Sequence, residues 1–440
     1  MSQGTITDAA APAIGGRLAG LPAVVTAGFA TTVGMWAAGY LCRLPAILLP
    51  SPFVLVLLLA CLFTGGLLLG RLSGGGATGG AAAGLVSAAL NLLVLGSLLG
   101  GAEADRLVPS ALWWIPGSIL ASTALGALGS AIGSARPVAR AAPFNWLNAF
   151  VWVAVAATAL LLAAGGLVTS AEAGLAVDDW PTSFGYNMFL YPFSKMTGGI
   201  YYEHAHRLLG ALVGLTTVVL ASFVQATEPR RWVRAWAWVG VPTVIVQGVL
   251  GGIRVTERNL ALAMAHGVLA QLFFAGLVAL AVFTSDRWRG PIEPTVRRGA
   301  RTDLRLGPTL VAVTVVQLVL GASQRHFQQL LMAHLTLGLL VVLPLALAVG
   351  SRAWGLATGR DGLLRRLGRL LVAVVLVQVV LGFGALVVTL AGSDGAIGPA
   401  SLLVFPTAHQ WLGAVLLAVT TALVCWNSRC LDEPGAGRTG

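Results

Sequence analysis

Apolar residues fall in long unbroken runs along this chain, and polar residues gather in the gaps between them. Each run is about twenty residues long, the length at which an α-helix crosses the hydrocarbon of a bilayer. Twelve such runs predict spans at approximately 20–42, 52–70, 79–100, 111–133, 147–169, 202–224, 235–253, 260–283, 307–324, 330–350, 370–391 and 403–426. A transmembrane barrel would instead show strands of about ten residues alternating apolar with polar. The pattern therefore predicts an all-α polytopic membrane protein. The first run is longer and more firmly apolar than a signal-peptide core, so it is expected to remain as an anchor.

Composition agrees. Hydrophobic residues make up 57% of the chain and charged residues 10%, outside the range of soluble domains. The 56 glycines fit the same class, because small residues let helix backbones approach closely in lipid. The net charge of +11 reports orientation. Arg43, Arg106, Lys195, Arg254, Arg258 and Arg325 fall on one side of the predicted spans and Arg207 falls inside one, which leaves twenty of the 27 basic residues on the other side. The positive-inside rule makes that richer side cytoplasmic, with both termini, in a multi-pass inner or cell membrane. The lipid bilayer is the expected partner. Nucleic acid is not, since no soluble basic domain is present. Cys42, Cys61, Cys425 and Cys430 show no CxxC spacing and read as packing residues.

The spans divide into groups. Residues 1–134 form a four-helix extension without histidine, read as a packing, stability or docking module, and 135–146 is a basic linker. Two four-helix halves follow at 147–283 and 307–426, joined by a basic loop at 284–306 and ended by a cytoplasmic tail at 427–440. A Gln-led motif recurs as QGVLGG from Gln247, QLVLGA from Gln317 and QVVLGF from Gln378, and the fifth span ends on a related LLLAAGGLV. After each of these four comes a span whose start holds a histidine: His206 in EHAHR, His266 in MAHG, His334 in MAHL and His409 in TAHQ. The eight helices thus read as two pseudo-twofold-related bundles with two histidine-bearing helices each.

Four histidines at one depth near the outer face point to a ligand. Two imidazoles facing each other across a four-helix bundle make an axial pair for haem iron. Zinc or copper would want three or four convergent ligands. A proton relay and plain packing remain as alternatives for such residues. Glu203 precedes His206 by three residues, placing both on one helix face. The second half has Leu331 and Leu335 where the first has Glu203 and Arg207, so one site looks reactive and the other electron-transferring. Arg207 can pair with Glu203 or bind a haem propionate, and Arg254, Arg258 and Arg325 are further propionate candidates. His204 is turned by about 200° from His206 and is expected to contact a loop. His326, in SQRHFQQ, is expected in a short outer loop on the propionate side. The long loop 170–201, with Trp180, Phe184 and Tyr186, has the length and turn composition of a lid.

GGLVTSAEAGLAVDDWPTSFG (Gly165 to Gly185), GGIYYEHAHRLLG (Gly198 to Gly210) and QGVLGG followed by His266 resemble the haem A synthases, cytochrome oxidase assembly proteins, over 147–426. The resemblance implies oxidation of the C8 methyl of haem O to a formyl, giving haem A for cytochrome oxidase biogenesis. It implies substrate haem at His206 and His266, haem b as cofactor at His334 and His409, and an essential role for Glu203. Implied partners are haem O, its synthase and an electron donor, either a quinol or another membrane redox protein. Homo-oligomerisation stays open. Many members carry a loop cysteine pair, G-L-x-C-P-D-W-P-x-C, but here Val177 and Ser183 occupy those positions, so no loop disulfide can act there. The four added spans are atypical and lack the paired Asp-rich motifs of a prenyltransferase. Alternatives on the same residues are a non-enzymatic bis-His cytochrome b or haem carrier, and a twelve-span secondary transporter without haem.

Overall fold

The computed structural model describes residues 20–101, 103–292, 295–296, 298–355, 362–391 and 398–432. It is an all-α polytopic membrane protein with twelve helices long and apolar enough to span. They are α1 (Leu21–Cys42), α2 (Ser51–Ser73), α3 (Gly76–Leu98), α4 (Ala111–Ser134), α5 (Trp146–Ser170), α6 (Gly198–Thr227), α7 (Arg231–Thr256), α8 (Leu260–Thr284), α9 (Ala300–Phe327), α10 (Leu331–Trp354), α11 (Gly362–Ala391) and α12 (Pro399–Cys430). All twelve expected spans are present.

The helices overrun their apolar windows. Hydropathy marks where a helix leaves hydrocarbon, whereas the helix itself continues until the backbone meets a stop or cap. Asn145 caps α5 by accepting from the Asn148 N–H at 2.9 Å, and Asn259 caps α8 by accepting from Ala261 and Leu262 at 2.9 and 3.1 Å. Proline in the first turn opens α1, α2 and α12, where its missing N–H costs nothing. One overrun moves a predicted loop residue. Arg325 and His326 lie in the last turn of α9, not in a loop, because nothing before Gln328 (φ 54°) breaks the helix.

In the extension, α3 packs on α4, α2 on α4, and α1 on α2 and α3. The packing is glycine-mediated: a Cβ on Gly66 would lie 2.3 Å from the Gly126 carbonyl oxygen, and one on Gly70 would lie 2.1 Å from that of Ser130. Only glycine permits such backbone approach. The extension then docks on the rest through α1 against α5 and α6, and α3 against α6.

The remaining eight helices form two closed circuits of contacts. Helices α5, α6, α7 and α8 touch in sequence and α8 returns to α5; α9, α10, α11 and α12 do the same, with α12 returning to α9. The circuits meet where α12 packs on α5 and α8, and α9 on α8. Thr407 donates to Ser170 Oγ at 3.0 Å and Trp411 Nε1 to the Ala159 carbonyl at 2.9 Å across that seam. At the end away from the histidines, β1 (Thr295–Val296) and β2 (Leu431–Asp432) pair in parallel. All four cysteines are free thiols.

Candidate functional site

The N-terminal parts of α6, α8, α10 and α12 bring the four histidines together in two pairs. His206 faces His266 with ring centroids 6.4 Å apart and planes at 79°. His334 faces His409 at 6.2 Å and 86°. The pairs are nearly superimposable in these terms, although their helices share little sequence beyond the repeated motif.

The repeat has a structural reason that sequence reading missed. Each histidine ring lies against a glycine on the preceding helix: a Cβ would come within 3.0 Å of the ring Cε1 at Gly165 (His206), 3.2 Å at Gly251 (His266), 2.9 Å at Gly321 (His334) and 2.8 Å at Gly382 (His409). Three of these glycines follow a glutamine by four residues. The amides of Gln247, Gln317 and Gln378 donate to the backbone carbonyls of His266, His334 and His409 at 3.1, 2.9 and 3.1 Å. The backbone carbonyls of Gln247 and Gln378 also contact Nδ1 of His266 and His409, at 3.1 and 3.2 Å. Such a bond orients the ring and leaves Nε2 as the free nitrogen. Gln317 instead reaches Nδ1 of His334 with its side chain, at 3.0 Å. Leu161 stands at the corresponding position before Gly165, and among the described residues the buried Nδ1 of His206 has only the Leu161 backbone carbonyl beside it, outside full hydrogen-bond geometry. The α10 backbone widens into a π-turn at Gly338–Val342, one turn after His334, a feature frequent at functional sites.

Among the described residues only the first pair carries charged neighbours. Because α6 begins at Gly198, Glu203 and His206 both lie within it, as the spacing required. The Glu203 side chain is 2% exposed. One oxygen accepts from Arg207 at 2.9 Å and the other from the backbone N–H of Val177 at 2.9 Å. Arg207 spends its terminal N–H groups on the carbonyls of Val177 (2.7 Å), Asp179 (2.7 Å) and Thr182 (3.0 Å) and on Glu203. Of the two readings for Arg207, the pairing with Glu203 is the one the structure shows: it clamps the loop, and its terminal donors are occupied by protein acceptors. Arg254 differs. Among the described residues it makes no hydrogen bond, yet it lies within electrostatic range of Glu203, Arg207, His206 and His266. Arg325 donates to the Thr169 carbonyl, bridging α9 to α5, and Arg258 is exposed in the turn between α7 and α8.

Loop 171–197 folds over this end. Trp180 lies flat on Gly252, beside the Gly251 that supports His266. His204, fully buried, turns away from His206 to Ser183 Oγ at 3.1 Å and to the Tyr191 ring at 5.0 Å. Asp179 organises the turn between them, accepting from Thr182 Oγ1 at 2.6 Å and from the N–H groups of Phe184 and Gly185 at 2.7 and 2.9 Å. Desolvation pushes the Asp179 carboxyl up, and these donations outweigh it, holding it below the ordinary carboxylate range. A depressed folded value stabilises the loop at neutral pH, and that stability is lost as pH falls below about 3.9 and through the folded value. Asp179→Ala is therefore expected to raise hydrogen exchange across 177–186 at pH 7 by about tenfold, while wild type reaches the same state only in acid. Equal protection in the variant would remove this role.

The extension supports the same loop. Tyr201 donates to the Tyr40 carbonyl at 2.8 Å and stacks on its ring at 5.7 Å. Asp105 accepts from Asn187 N–H at 2.7 Å, and Ser97 donates to the Phe189 carbonyl at 3.3 Å.

Residues 187–333 match the family model of the cytochrome oxidase assembly proteins, COX15-CtaA. The matched stretch runs from the end of this loop through α6 to the first turn of α10, and so contains Glu203, His206, Arg207, Gln247, His266 and Gln317. No curated protein and no solved structure matches the chain.

Proposed function

We infer that this protein is a haem A synthase-like oxidoreductase, taking haem O as substrate between His206 and His266 and haem b as cofactor between His334 and His409. The observation that carries the reading is the pair of opposed imidazoles repeated in both halves, of which only one lies beside a carboxylate under a loop. The ring centroids stand 6.4 and 6.2 Å apart in the two pairs, so each pair could hold one metal ion between two imidazoles. Among the described residues no group of three or more His, Cys, Asp or Glu converges, so the remaining donors must come from a ligand that brings its own, as a porphyrin does.

When bound, the substrate would supply the methyl carbon, whose net conversion to a formyl removes four electrons and adds one oxygen atom, both exchanged with a redox partner and an oxygen source from outside this chain. The chain's own part is positional and electrostatic. His206 and His266 hold the substrate on axis, and the glycines under the rings fix how deep each imidazole sits. Glu203, ion-paired to Arg207, places negative charge where positive charge develops at the methyl carbon. Arg254, whose guanidinium makes no hydrogen bond among the described residues, is the propionate donor this site would offer. The loop, latched by Arg207 and Asp179, keeps water from the reacting carbon.

Co-expression with a haem O supply, followed by chromatography of the extracted haems, tests the assignment. Haem A in the extract is expected. A folded, haem-loaded protein yielding haem O alone would leave a cytochrome b or haem carrier in its place. Gly382→Val should push the His409 ring off its seat, since a single Cβ already comes within 2.8 Å of it. Bound haem is then expected to fall from about two per chain to about one, with the His206–His266 site retained. Loss of both haems, or of neither, would count against separate sites.

A further inference from the structure

We propose that a cavity at the end of the bundle away from the histidines binds the phosphate of an anionic membrane lipid. The cavity, about 640 Å³, lies where the α6–α7 turn, the segment after α8 and the end of α12 meet. Thr227, on its wall, is about 30 Å along α6 from His206, so this is not part of the histidine site.

Its walls carry three arginines against one carboxylate: Arg230, Arg289 and Arg429 with Glu228. The Glu228 side chain is fully buried. It accepts from Arg230 Nε at 2.6 Å and Nη2 at 3.0 Å, and from Arg289 Nη2 at 2.8 Å. Burial pushes its carboxyl up, but those donations win and hold it at about 2. Glu228 is therefore charged at neutral pH and offsets only one of the three cations. Among the described residues Arg429 pairs with no carboxylate, its Nε is buried without a partner, and its Nη2 makes only long contacts of 3.4 Å to the carbonyls of Trp288 and Gly290. Among the described residues Arg289 donates to Glu228 alone. An anion in the cavity would meet the terminal donors of Arg429 and the spare donors of Arg289, giving charge-assisted hydrogen bonds.

The surroundings favour a lipid over a soluble phosphate. The cavity opens at the end of spanning helices. Trp232 on its rim is 48% exposed, and Trp236 and Val239, one and two turns further along α7, are 46% and 62% exposed. That apolar track runs from the arginines toward the hydrocarbon, as an acyl chain below a headgroup would. The Arg230 guanidinium lies 5.5 Å from the Trp232 ring and that of Arg429 5.8 Å from Trp288, so tryptophans flank the charge as at a membrane interface. A lipid bound here would bridge the α6–α7 turn to α12 and so tie the two halves together.

The test uses the full-length protein in nanodiscs of phosphatidylcholine with increasing phosphatidylglycerol, with native mass spectrometry reading retained lipid and a thermal scan reading stability. Wild type is expected to retain phosphatidylglycerol at least about tenfold better than phosphatidylcholine and to melt higher with it. Arg429→Gln should lose that preference by about tenfold, and Arg289→Gln serves if the first variant does not fold. Arg136→Gln, which removes an exposed charge at the same end, should keep it. Preference unchanged in both cavity variants would overturn the proposal. So would displacement of the lipid by millimolar inorganic phosphate with equal stabilisation, which would make the ligand a soluble phosphate.

Discussion

Glu203→Ala is expected to leave the protein loaded with haem while lowering haem A formation by at least about a hundredfold. On the proposed reading axial ligation would fall to His206 and His266 and would not involve the carboxylate, so haem content would report the histidines and product would report Glu203. The alanine variant also strands Arg207 and the Val177 N–H, both of which Glu203 satisfies, and breaking a buried pair costs about 3–5 kcal/mol. Glu203→Gln separates the two effects. Its amide oxygen can still accept from Val177 or Arg207, so the loop should hold, while the negative charge is gone. Loss of haem A with loop protection intact assigns the effect to charge at the reacting carbon. Full activity in the glutamine variant would make Glu203 a latch only, and the asymmetry between the two halves would then need another cause.

Much of this architecture is legible in the sequence because lipid imposes it. A spanning helix needs about twenty apolar residues, so the twelve helices follow from run lengths alone, and four histidines a few residues into alternate spans are visible without a structure. The helix ends were less legible. His326 and Arg325 read as loop residues because they are polar, yet polar side chains do not end a helix, and α9 continues to Phe327. The supports of the site were the least legible. The glutamine repeat is plain in the sequence, but its partners are backbone carbonyls of the next helix, and no residue code marks those. The glycine beneath each ring was hidden among 56 glycines, although in three of the four a fixed offset of four from a glutamine could have singled it out. Asp179 and the Tyr40–Tyr201 contact depend on loop geometry and on docking of the extension, neither of which leaves a periodic trace.

The loop has its own logic. At Val177 and Ser183, where the resemblance leads one to expect a cysteine pair, the chain uses non-covalent ties: the Val177 backbone to Glu203 and Arg207, and the Ser183 hydroxyl to His204. Docking of Asn187 and Phe189 on the extension adds to them. The four additional helices thus touch the segment that covers the first histidine pair, which ties an otherwise chemically silent extension to the site.

Arg207 is where these ties converge, and Arg207→Lys should be nearly as damaging as Arg207→Ala. The guanidinium serves three loop carbonyls and one carboxylate at once, from a side chain only 10% exposed. An ammonium keeps the charge but cannot reproduce that planar fork, so at least two carbonyls would lose their donor, at about 1–3 kcal/mol each if they stay buried. Alanine would further leave the Glu203 carboxylate buried without its cation. Both variants are expected to speed hydrogen exchange across 177–186 and to lower haem A formation, with haem content at His334–His409 unchanged. The order of effects is the decisive reading. If charge near the methyl carbon were all that mattered, lysine would restore activity toward wild type; if the clamp on the loop matters, lysine and alanine fall together, and loop protection falls with them.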